Sequence, residues 1–145
     1  MPPHCPPGYT AYNYSYFEIC LKFVPLFVNH TEAVSSCVKE GGDLIKLDSR
    51  DKFKIFQRHM LQLPPSKYPF KVWLQGEETD RKKGEWTFHD GSIFDFDCKI
   101  FMQTNQPEET HLAASNKKDF PCDDEDPANT HHYVCEIYRT FKDTY

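Results

Sequence analysis

The chain has 145 residues, a hydrophobic fraction of 39% and an aromatic fraction of 15%, enough to fill the core of one domain and too much for a disordered tail. Its formal net charge of −5 and its pI near 5.8, with no cluster of Lys and Arg, speak against a nucleic-acid binder. No apolar run approaches the roughly 18 residues of a spanning helix, and the stretch over residues 23–28 is interrupted by Pro25.

In chain order, Met1-Pro2-Pro3-His4 has neither the charged nor the apolar region of a signal peptide, which leaves a mature secreted chain open. Residues 5–23, with Tyr9, Tyr12, Tyr14 and Tyr16 among Pro, Gly and small polar residues, read as a hairpin. Asn29 is placed to cap a helix with Glu32 as the reciprocal carboxylate. Ala33, Val34, Cys37 and Val38 recur on one face, and Gly41-Gly42 stops the turn. Asp48-Ser49 offers a second cap, after which Phe53, Phe56, Met60 and Leu63 form an apolar stripe that ends at Pro64-Pro65. The period then changes. Residues 71–74 and 85–88 read as strands, the second followed by an Asp90-Gly91 turn, and residues 132–138 alternate as a terminal strand. Residues 98–133 read as a long polar loop, where a functional site is expected.

Six cysteines, Cys5, Cys20, Cys37, Cys98, Cys122 and Cys135, are dispersed over the whole length. The even count and the lack of any Cys-x-x-Cys pair point to three disulfides and an oxidising compartment, zinc ligation being the competing reading. The sequons Asn13-Tyr14-Ser15 and Asn29-His30-Thr31 agree with secretion.

Catalytic signatures are lacking: there is no Gly-x-Ser-x-Gly, no His-Glu-x-x-His and no phosphate-cradling glycine loop, so a binding protein is expected and not an enzyme. Glu108, Glu109 and Asp119 are the carboxylates that acid–base work on a glycoside would draw on, but nothing in the sequence positions them. The acidic run Asp123-Asp124-Glu125-Asp126 reads as a solvated charged loop. His131 and His132, consecutive in a strand, face opposite sides.

Several fragments fall in a familiar order: Cys5-Pro6-Pro7-Gly8-Tyr9, Glu32-Ala33 with Cys37, Gly41-Gly42-Asp43-Leu44, Val72-Trp73-Leu74-Gln75-Gly76, Trp86-Thr87-Phe88, Gln106-Pro107, Asp119-Phe120-Pro121-Cys122 and Tyr133-Val134-Cys135-Glu136. Over residues 5–138 the chain resembles a C-type lectin domain. Residues 1–4 and 139–145 are left as tails. The resemblance implies an α+β double-loop fold with two helices and two small antiparallel sheets. It also implies disulfides of Cys5 with Cys20 and Cys37 with Cys135. His111 falls where the family has a cysteine, which leaves Cys98 to pair with Cys122.

The resemblance further implies a site for glycans on the long loop, with Gln106, Glu108, Lys118 and Asp119 as the sugar-binding residues. The family's calcium ion would draw on Gln106, Glu108, Glu109 and Asp119. Here Lys117-Lys118 replaces the aromatic and the amide ligand that precede Asp119, and an ammonium group repels a cation, so calcium is possible but none is expected to be required. Phe101 or Phe120 is a candidate to stack on a sugar face. The alternative is a lectin-like domain that binds a protein partner.

Overall fold

The computed structural model describes residues 5–80, 85–93 and 107–141. Strand β1 (Thr10–Asn13) turns back through a Tyr14-to-Phe17 backbone hydrogen bond into β2 (Phe17–Val28). Helix α1 (His30–Lys39) is followed by β3 (Asp43–Leu44), α2 (Arg50–Leu61), β4 (Lys71–Asp80) and β5 (Glu85–Thr87). The remaining strands are β6 (His111–Ser115), β7 (Cys122–Glu125) and β8 (His131–Thr140).

The local signals act as their chemistry dictates. Asn29 Oδ1 accepts the Glu32 amide at 2.8 Å while Glu32 accepts the Asn29 amide, which closes the capping box of α1. The helix ends where Gly41, at φ 92°, turns left-handed and Gly42 donates to the Cys37 carbonyl. Gly42 is also required by close approach, since a Cβ there would overlap the Glu136 carbonyl oxygen. Ser49 caps α2.

The two antiparallel sheets expected are present but continuous. β1, β2, β8 and β3 pair antiparallel, as do β5, β4, β6 and β7, and the groups join through a short parallel contact of β4 with β8 at Val72↔His132 and Trp73↔Tyr133. Strand alternation then divides the interior into two clusters. Val72, Leu74, Leu112, Ala114 and Val134 face α2 with Ile55 and Phe56. Trp73, Ala113, Tyr133 and Cys135 face α1 with Ala33 and Cys37. The buried Cys37 bonds to Cys135 and Cys5 to Cys20, the pairings the resemblance implied. The pairing of Cys98 with Cys122 lies outside the described residues, because Cys98 does.

Four local expectations are corrected. Val38 is exposed, because the inward arc of α1 is narrow and is filled by His30, Ala33 and Cys37. On α2 the buried residues are Lys52, Ile55, Phe56, His59 and Met60, while Phe53 is half-buried. Lys52 goes inside because Glu136 awaits its ammonium at 2.8 Å. Finally, β8 runs on to Thr140, with Arg139 opposite Glu18 and Thr140 opposite Phe17, so Arg139 and Thr140 belong to the strand and not to a tail. The loop expected over residues 98–133 contains two strands, β6 and β7.

Candidate functional site

β6 and β7 form a short hairpin on the outer side of β4, with His111 opposite Glu125, Leu112 opposite Asp124 and Ala114 opposite Cys122. Its sequence hides it: Leu112-Ala113-Ala114 is short and small, and the partner strand is made of Cys and carboxylates. The acidic run is therefore not a solvated loop. Asp124 and Glu125 are 4% and 7% exposed.

Each buried carboxylate finds a different solution. Burial pushes the Glu125 carboxyl up, but hydrogen bonds from His131 at 2.6 Å and Lys71 at 2.5 Å overcome it and hold the group at about 2. Asp123, 3.2 Å from the same Lys71, completes an ion triad. Asp124, one residue along, faces the other way. Its Oδ2 has no partner, and burial, with Asp123 beside it, raises its carboxyl to about 7. A lysine opening one strand and a histidine opening another were the sequence features that could have marked these acids as paired.

Beside the triad lies a cleft of about 650 Å³. Beside it the β2–β8 register breaks between Val24 and Val28, at the proline that cannot donate to the ladder, so Leu26 and Phe27 have no paired residue on β8 and are 57% and 67% exposed. The Phe27 ring lies 4.3 Å from His132, which also packs against Phe23 and Phe70, whereas His131 turns to Trp73 and Glu125. The two histidines thus face opposite sides, as strand geometry requires. Pro69, Phe70 and Pro121 continue the apolar wall, with Lys71 and Lys117 at its polar side.

The sequence-derived site residues are spread over this hairpin. Glu108 and the half-buried Glu109 precede β6, while the exposed Lys118 and Asp119 follow it. At about 3.3 Å per residue, β6 sets roughly 13 Å between His111 and Ser115, so the two groups flank opposite ends of one strand. Gln106 and Phe101 lie outside the described residues. Asp119 and Phe120 both adopt positive φ, 68° and 50°, and this tight turn swings Phe120 into the core against Phe56 at 6.0 Å; it is not available to stack on a sugar. Among the described residues no three His, Cys, Asp or Glu side chains form a group that could hold a metal ion, and Lys117 and Lys118 are exposed in the β6–β7 turn.

A second titratable cluster sits where α1 begins. The buried His30 ring is 4.3 Å from His111 and packs edge-on against Trp73, with His89 at 6.3 Å held by Asp43 at 2.6 Å. Burial, with His111 and His89 nearby, lowers His30 to about 4 and leaves its Nε2 without a partner. A base held below its ordinary value binds fewer protons folded than unfolded, so its stability contribution is intact above about pH 6.5 and is lost as pH falls toward 4. That interval is worth about 3 kcal/mol. Urea unfolding at pH 7 and pH 4 is expected to show this loss as the difference between the native chain and His30→Phe, a comparison in which the opposing effects of Asp124 and of the Asp43-bound His89 cancel. Equal pH dependence of the two chains would exclude the assignment.

The model of the lectin C-type domain matches residues 28–137. The chain belongs to the C-type lectin domain family, whose members are in general non-enzymatic binding proteins. Human lithostathine superposes with a TM-score of 0.75 at 15% identity, covering 93% of this chain and 100% of its own. SPL-1, solved as a complex with GlcNAc, superposes with a TM-score of 0.73 at 16% identity over 92% of this chain and 95% of its own. A calcium-independent type II antifreeze protein follows at 0.69, with 18% identity and coverages of 94% and 95%. No curated protein matches the sequence. No described helix is long and apolar enough to cross a membrane.

Proposed function

We propose that this domain is a secreted lectin that binds glycans without calcium, through polar groups at the two ends of β6: Glu108, Lys118 and Asp119, together with Gln106. The observation behind this reading is the β6–β7 turn, which presents two exposed ammonium groups beside one carboxylate. Such a turn repels a divalent cation, yet it supplies the donors and the acceptor that sugar hydroxyls and acidic substituents need. A neighbour solved with GlcNAc supports a sugar as the ligand. Two disulfides, and the exposed Asn13 of one sequon, suit an extracellular medium.

A glycan array run once with calcium and once with chelator is the test. Equal capture in both is expected, and Asp119→Ala is expected to weaken it by about 1.5 to 3 kcal/mol, the worth of a charged hydrogen bond. Calorimetry showing micromolar calcium affinity that vanishes in Glu108→Gln would overturn the calcium-free mechanism. Capture of no glycan under either condition would leave a protein partner as the alternative.

A further inference from the structure

We propose that the cleft between the β2 bulge and the β6–β7 turn binds an acidic saccharide, with the pyranose face on Phe27 and its carboxylate on Lys117. This inference rests on the lectin reading and adds, beside the groups at the ends of β6, a neighbouring cleft with its own ligand class. Three observations converge on it. The first is the exposed aromatic ring. Phe27 is 67% exposed although the first eight residues of its strand are buried or half-buried, and it lines the cleft together with Phe70, Pro69 and Pro121. The second is size and chemistry: about 650 Å³ of mostly apolar cleft with a few polar groups on one side is within the range of small-ligand sites.

The third is the charge arithmetic of the rim. Lys71 is spent on Glu125 and Asp123, and Asp123 in turn is spent on Lys71 and on the Asp124 amide. That group of one ammonium and two carboxylates is net negative, whereas Lys117 has no carboxylate partner among the described residues, so Lys117 is the lining ammonium left for a ligand carboxylate to take. A neutral sugar would stack on Phe27 and leave that ammonium to water. A carboxylate would take it as a charge-assisted hydrogen bond, and the buried Ser115, whose Oγ already accepts the Lys117 amide, keeps its hydroxyl proton to donate beside it.

The test uses the whole chain on an array of uronate- and sialate-bearing glycans, each printed beside its own methyl ester, so that members of a pair differ only in the charge. We expect the acids to be retained at least tenfold better than the esters, with the margin shrinking as salt is raised. Phe27→Ala and Lys117→Glu should each lose at least tenfold of that retention, while Lys117→Arg keeps it. Both side chains are exposed and outside the core, so these variants should unfold at the native temperature. Glycan capture without preference for acid over ester, or a preference that both variants retain, overturns the cleft while the lectin reading stands. If no glycan is captured, acid or ester, by a chain with a normal thermal transition, both fall. Binding of acidic peptides in place of glycans likewise overturns the saccharide assignment.

Discussion

Replacing Cys37 and Cys135 together by alanine is expected to destabilise the domain by about 4.7 kcal/mol, the loop-entropy value for a closed loop near 100 residues. The bridge spans 98 residues and ties α1 to β8, with both sulfurs fully buried. The Cys5–Cys20 bridge spans only 15 and fastens the first hairpin, so its removal should cost about 3 kcal/mol. Since domains of this size hold roughly 5–15 kcal/mol in total, the first variant should be close to unfolded at physiological temperature and the second should not. Urea titration of both double variants measures the order. A larger loss from Cys5→Ala with Cys20→Ala would show that the hairpin, and not the helix-to-sheet clamp, is where the chain most needs closure.

Lys52→Met should cost about 3 to 5 kcal/mol, because it leaves the carboxylate of Glu136 buried without its cation. Lys52 Nζ lies 2.8 Å from Glu136 Oε1, with side-chain exposures of 3% and 8%, and 4.4 Å over the Tyr138 ring. Burial already pushes the Glu136 carboxyl up, and Lys52 with the Lys46 amide draws it back. With Lys52 gone only the upward push and one amide remain. An acid raised in the folded state binds more protons folded than unfolded, so the penalty should grow as pH rises above the ordinary carboxylate range. Adding Glu136→Gln should recover most of the loss and flatten that dependence, since the uncharged amide needs no counterion. A single variant within 1 kcal/mol of the native chain would mean that water reaches Glu136.

The glycan-binding reading and the stability of the domain are separable in these experiments. Phe27, Lys117, Lys118 and Asp119 are exposed, while the groups that hold the fold, Lys52, Glu136, Cys37 and Trp73, lie in the interior. Variants of the first set should alter capture at unchanged stability, and variants of the second should do the reverse.

The sequence by itself determined what depends on neighbours along the chain. The Asn29–Glu32 capping box, the glycine stop at 41–42 and the first hairpin each follow from side chains acting within a few residues and recur in the structure, and the terminal strand recurs with longer bounds and with residues 133–136 all buried. The order of the cysteine-bearing motifs was also legible, because a family resemblance is a property of order. Only tertiary structure decided the fate of the charges. Asp123, Asp124 and Glu125 look like a solvated run until β6 places them in a sheet and β4 brings Lys71, 52 residues away from Asp123 in sequence, to meet them. Lys52 looks like a surface residue of a helix until Glu136, from the last strand, takes its ammonium. Phe120 looks free to stack on a ligand until two consecutive left-handed residues fold it under α2, while Phe27, inside a strand sequence, is turned out to water by the break at Pro25. In each case the reason is the same: the cost of burying a charge or exposing a ring is set by groups that the chain brings near only when it closes, and local sequence does not contain that distance.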